Sequence, residues 1–233
     1  MILQLFSSFE HMKSLSLILL ISLLAACSNK KEQLHIYDFI KSGTPVSGYR
    51  EYTVTSDTSI TRVWLQQTNT KLNDTTWQFT TYWLNADSLP INSGIERYFA
   101  SNNVQLIKQS YFEQIGKDRV IEIIGKMDTT MQQNIFEKPG KFVIDFTSIS
   151  DSAITMQIEA SIRAQLIDNG PESSADDKTL EIISNEISHI NFLDARPDTS
   201  INTTTRRVYS LNKGLIYFTV GTGLNEMTFK LVE

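Results

Sequence analysis

ITMQIEASIRAQL, residues 154–166, places an apolar or small side chain at every second position: Ile154, Met156, Ile158, Ala160, Ile162, Ala164 and Leu166. On a helix, steps of two turn by about 200° and scatter such side chains around the cylinder. On a strand they share one face. The stretch therefore reads as one long half-buried strand, or as two with a bend near Ala160-Ser161.

Outward from it, the same alternation recurs, in segments rich in Val, Ile, Thr, Tyr, Phe and Trp and separated by turn residues. Tyr49–Thr55, Thr61–Gln67, Thr76–Leu84 and Ile91–Phe99 read as strands, the last pair joined through Asn85-Ala86-Asp87-Ser88-Leu89-Pro90. Val104–Ile115 and Arg119–Met127 form a hairpin across Gly116-Lys117-Asp118, and Lys141–Ile149 begins after Pro139-Gly140. Arg206–Leu211, Gly214–Val220 and Leu224–Val232 complete the series. Leu180–Phe192 fits a short helix, through Ile183, Ile187 and Ile190, as well as an irregular strand. The expected fold is mainly β, with at most one or two short helices. It is an antiparallel curved sheet or half-barrel, or a β-sandwich, of ten or more strands.

The 207 residues from Cys27 to Glu233 suffice to bury a substantial core. Net charge is −5, with no basic stripe, which excludes nucleic acid as an expected partner. Leu15–Ala26 is apolar or small throughout, follows Lys13, and is too short to span a bilayer as a helix. That is the layout of an export signal. Met12 is the better start, because Glu10 and a separate apolar cluster sit awkwardly ahead of a positive n-region. The expected organisation is a signal peptide over 1–26, a tether over 27–34 and a single β-rich domain over 35–233.

Leu24-Ala25-Ala26-Cys27 resembles the lipobox of bacterial lipoproteins, and the chain's single cysteine falls at its last position. The resemblance implies lipidation of Cys27 and membrane attachment through that lipid. With Ser28 rather than Asp next, it implies the outer membrane. One acid among the cations of Asn29-Lys30-Lys31-Glu32 points to the periplasmic face. No second cysteine is available for a disulfide, so the fold rests on its core.

Chemistry-bearing groups are few. His35 and His189 lack metal-ligand spacing, so neither a metal site nor a cofactor is expected. His189 with Asp194 has no nucleophile in a G-x-S-x-G setting to serve. Gly221-Thr222-Gly223 reads as a hairpin turn, since LNEMTFKLVE after it alternates like a strand rather than opening a helix. The carboxylate pairs Glu113/Glu122 and Asp145/Glu159 are conceivable acid/base pairs, although strand alternation ordinarily puts such acids on the wet face. Aromatic residues crowd the region from Trp64 to Phe112. Trp77, Phe79 and Trp83 share one strand face, with Tyr82 and Leu84 on the other. Trp64, Trp77 and Trp83 are thus the candidate contacts for a ligand or glycan.

The acylated cysteine, short tether and succession of strands, with Leu89-Pro90 after its turn and a strand starting at Lys213-Gly214-Leu215-Ile216-Tyr217, resemble outer-membrane lipoproteins of the lipoprotein-carrier type. That resemblance implies an open β half-barrel around an apolar cavity that accepts acyl chains, and it carries no catalytic residues. The expected function is non-enzymatic binding of an apolar ligand or an envelope component or protein. The alternative is a cell-surface β-sandwich that binds glycan or a protein partner.

Overall fold

The structure, a computed structural model, describes residues 34–41, 49–56, 59–115, 119–128, 131–167, 178–222 and 225–232. The expected signal peptide, Cys27, most of the expected tether and the tips of several expected turns lie outside these residues. His35–Glu233 is one compact unit.

After a short helix, α1 (Ile36–Lys41), the strands run β1 (Tyr49–Ser56), β2 (Ser59–Asn73), β3 (Thr76–Leu84), β4 (Pro90–Phe99), β5 (Val104–Ile115), β6 (Arg119–Ile124) and β7 (Lys126–Met127). They continue as β8 (Gly140–Thr147), β9 (Ile154–Ile167), β10 (Thr179–Phe192), β11 (Thr199–Ser210), β12 (Gly214–Thr222) and β13 (Asn225–Leu231). All belong to one 13-stranded sheet of order β6-β5-β4-β3-β2-β1-β13-β12-β11-β10-β9-β8-β7. This replaces the sandwich alternative. Sequential strands pair antiparallel except β6 and β7, and the first pairs with the last, Tyr52 opposite Leu231 and Val54 opposite Phe229.

The two outermost strands in that order are separated in sequence by a single residue, Gly125. The sheet therefore curls until its ends meet on one bent segment, giving a nearly closed barrel rather than an open half-barrel. Gly125 is required at the bend: a Cβ there would lie 2.4 Å from Ile144 Cγ2 and 2.7 Å from Phe146 Cε1. Its N–H donates to the Gln109 carbonyl at 2.9 Å, and β5 and β6 both reach β8 across the seam.

The strand reading of residues 154–166 holds over one unbroken strand. The ambiguous 180–192 segment is strand too, paired along its length with β9 and β11. Its isoleucines fall on both faces: Ile182 points inward and Ile183 outward, which blurred the alternation. In β8 the alternation is complete, with Phe142, Ile144 and Phe146 buried and Lys141, Val143, Asp145 and Thr147 exposed. The outward positions of β9 are Gln157, Glu159, Ser161, Arg163 and Gln165. A transmembrane barrel carries the opposite pattern, apolar outside and polar within.

A sheet of this many strands encloses more space than wall side chains alone can fill, since about eight strands already leave an interior that they just occupy. Two devices fill one end. Large aromatics project inward, Tyr52, Phe79, Tyr98 and Tyr209 among them, all buried. Helix α1 seats Ile36 and Phe39 with no exposure, touching β4, β10, β11 and β12. Six residues are too few for a stable helix in isolation, so the barrel caps it. Asn102, in the left-handed region at φ 59°, accepts the Ile36 N–H at 3.1 Å; asparagine is among the few residues that tolerate that backbone. Asp38 accepts the His35 N–H at 3.0 Å, half of a capping box, and Gln67 donates to the Ile40 carbonyl at 3.1 Å.

Candidate functional site

Beyond the plugged end, a cavity of about 360 Å³ remains in the barrel interior. Register places the side chains around it. Proceeding from β3, the inward positions are Thr81 and Trp83, then Asn92, Gly94 and Glu96, then Val104, Leu106 and Gln109. The facing side is built from Phe142 and Ile144, Ile158, Ala160 and Ile162, Ser184 and Glu186, Thr203, Thr205 and Arg207, and Phe218 and Val220.

The walls differ in chemistry. Strands β8 and β9 contribute only apolar side chains, whereas β10 and β11 contribute hydroxyls, a carboxylate and a guanidinium. An aromatic group closes a further side, with Phe218 and Phe229 stacked at 4.0 Å and Trp83 4.9 Å from Phe218.

The floor, next to the plug, is ionic. Arg207 Nη1 lies 3.7 Å from Glu96 Oε1, and the Tyr98 hydroxyl donates to Glu96 Oε2 at 2.6 Å. Sheet irregularities lie beside both charges, between Ile95 and Glu96 and between Val208 and Tyr209. Such bulges re-aim side chains. Burial, then the neighbouring Glu96 charge, holds the Tyr98 hydroxyl well above its ordinary value, and burial likewise raises Tyr209. For Arg207 burial works against the charge, but Tyr209, Glu96, Tyr98 and Glu186 outweigh it and the guanidinium is held more firmly protonated. On the cavity side, Glu186 accepts the Ser184 hydroxyl at 2.9 Å.

At the opposite end the inward side chains become accessible: Ile201 is 39% and Met227 42% exposed. This end is the mouth. Its rim is tied by Arg196, whose guanidinium meets Asp194 and Asp151 and lies 4.5 Å over the Phe192 ring. A second tie crosses the barrel seam. Ser150 N–H donates to Glu113 Oε2 at 2.9 Å and Tyr111 Oη to Oε1 at 2.8 Å, joining β5 to the β8–β9 turn. Burial alone would raise the Glu113 value, but hydrogen bonds from Ser150, Ser148 and Tyr111 bring it from 4.5 to about 2.

A depressed carboxylate stabilises the fold above its unfolded value and loses that contribution as pH falls through the folded one. Glu113→Gln is therefore expected to cost about 1 kcal/mol near neutral pH, after allowance for solvent screening. The deficit against the parent chain should be constant above about pH 5 and close towards pH 2. Denaturant midpoints across that range check it, and a pH-independent deficit would contradict a stabilising role for the Glu113 tie.

Of the three tryptophans singled out from sequence, Trp83 lines the cavity and Trp77 faces inward at the plugged end, its ring 6.3 Å from Tyr37. Trp64, opposite Glu51 and Leu84, lies on the outer face. The conceivable carboxylate pairs do not form a cleft. Glu113 shares its face with Ile121, while Glu122 lies opposite Phe112 on the other face and binds Lys108. Asp145 and Glu159 are both outward, Asp145 accepting from Gln157 at 2.8 Å. His189 Nδ1 sits 2.9 Å from Ser200 Oγ, and Asp194 engages Arg196.

Glu96, Glu186 and Arg207 escaped the sequence reading. Their signal was a charge on the buried parity of a strand: Arg207 two residues before buried Tyr209, Glu186 four after buried Ile182.

No protein-family model matches the chain. No curated protein matches it. Among solved structures, it is similar to a protein from Parabacteroides distasonis provisionally described as a lipoprotein. The two share 8% identity over 83% of this chain and 97% of the other, with a TM-score of 0.46.

Proposed function

We propose that this chain is a non-enzymatic lipoprotein, held at the periplasmic face of the outer membrane by lipid on Cys27, whose barrel binds a single-chain amphiphile. The lipobox supports the anchor, and the observation that carries the binding reading is the two-sided cavity. At about 360 Å³ it lies near the small end of ligand sites, ~300–1,000 Å³. At ~30 Å³ of liquid volume per water it equals roughly a dozen waters. That suits one alkyl chain and excludes the three chains of a lipoprotein cargo. The glycan alternative requires Trp64, Trp77 and Trp83 on an accessible outer surface, and two of them point inward.

Cys27→Ser is expected to release the protein from membranes, and the freed, delipidated chain should bind alkyl alcohols. Each added methylene buries about 0.8 kcal/mol, so affinity should rise about fourfold per carbon until the cavity is full. Trp83 fluorescence follows the titration. Affinity that does not depend on chain length would sink the cavity reading, and continued membrane association after Cys27→Ser would sink the anchor.

A further inference from the structure

We infer that the ligand's polar end carries a positive charge, a primary ammonium, and that Glu186 is its anchor; this rests on the amphiphile-binding reading above. The ionic groups among the cavity-lining residues are Glu96, Glu186 and Arg207, a formal balance of two negative and one positive. Every other polar lining residue is neutral: Thr81, Asn92, Gln109, Ser184, Thr203 and Thr205.

The two carboxylates are not equivalent. Glu96 receives Arg207 on one oxygen and the Tyr98 hydroxyl on the other. Glu186 receives Ser184, and an ionised carboxylate offers about four acceptor sites, so it retains capacity. Its cross-strand neighbours, Ala160 on β9 and Thr203 on β11, are small and leave it open to the lumen. An ammonium offers three donors and no acceptor, which suits Glu186 with the Ser184 and Thr203 hydroxyls. A carboxylate or phosphate head would instead add an anion to a site that already holds more negative than positive charge, out of bulk water, and such unpaired charge is costly. The alkyl part then lies on the apolar wall of Phe142, Ile144, Ile158 and Ile162.

The test compares dodecylamine, dodecanol and dodecanoate, matched in tail and kept below micellar concentration, on the full-length Cys27→Ser chain by calorimetry at neutral pH. The amine is expected to bind at least tenfold tighter than the carboxylate. Glu186→Gln should lower amine affinity about tenfold more than it lowers alcohol affinity; Glu186→Asp should keep most of the preference. If the carboxylate binds as well as the amine, or the amine preference survives Glu186→Gln, the head-group inference falls while the cavity reading stands. If none of the three binds, the cavity reading falls and takes this one with it.

Discussion

Arg207→Met is expected to destabilise the fold by about 1–3 kcal/mol, and adding Glu96→Gln is expected to recover most of that loss. Breaking a fully buried ion pair from one side costs about 3–5 kcal/mol, because the remaining charge is left without a partner. Here the Arg207 and Glu96 side chains are 24% and 27% exposed, so water in the cavity screens part of the penalty. Methionine retains the packing length of the arginine stem, which isolates the loss of charge. In a region of about 200 residues, such a loss moves the melting midpoint by roughly 2–12 °C. The recovery is incomplete because Glu186 still faces the vacated position. Thermal melts of the two single variants and the double variant give the coupling. Strictly additive losses would mean that Glu96 and Arg207 are neighbours without being partners, and the charged floor would need another explanation.

What the sequence disclosed follows the range over which each feature is determined. Strand identity is local, so the alternation from Ile154 to Leu166 or from Lys141 to Thr147 declares itself without any tertiary information. Sandwich and barrel share that alternation. The choice between them is made by Tyr52 meeting Leu231, partners at opposite ends of the chain. The same holds for Gly125, which reads as an unremarkable glycine until Ile144 and Phe146 arrive against it. HIYDFIK carries no strong helix signal of its own; its helicity depends on Asn102 and Gln67, brought from β-turn and strand. The candidate site was legible in one residue, Trp83, because a large aromatic on the buried parity of β3 must face whatever the sheet encloses. Glu96 and Arg207 were not, since their meaning lies in facing each other across the lumen from strands more than a hundred residues apart.

The plug gives the second large effect. Phe39→Ala is expected to cost about 3–5 kcal/mol, the usual range for emptying a fully buried phenylalanine site, since Phe39 has no solvent exposure. Two responses are physically distinct. If α1 and the barrel unfold as one cooperative unit, the melting midpoint drops by roughly 6–20 °C. If α1 undocks first, the cost is capped at the docking energy of a helix that cannot persist alone; the midpoint then moves little, and limited proteolysis cuts near residues 34–41 in an otherwise folded chain. Cooperative loss is the expected outcome, because the helix is tied at one end to the β4–β5 turn and at the other to β2, and seats Ile36 and Phe39 among residues of β4, β10, β11 and β12. The ionic floor stands directly on that packing: Tyr98 and Tyr209, one pleat below Glu96 and Arg207, are buried against the plugged end. A loosened plug would admit water beneath the floor and weaken the Glu96–Arg207 pair, so Phe39→Ala and Arg207→Met should destabilise less in combination than their separate losses would give. Additive losses would show that plug and floor are independent, and that the cavity owes its shape to the sheet alone.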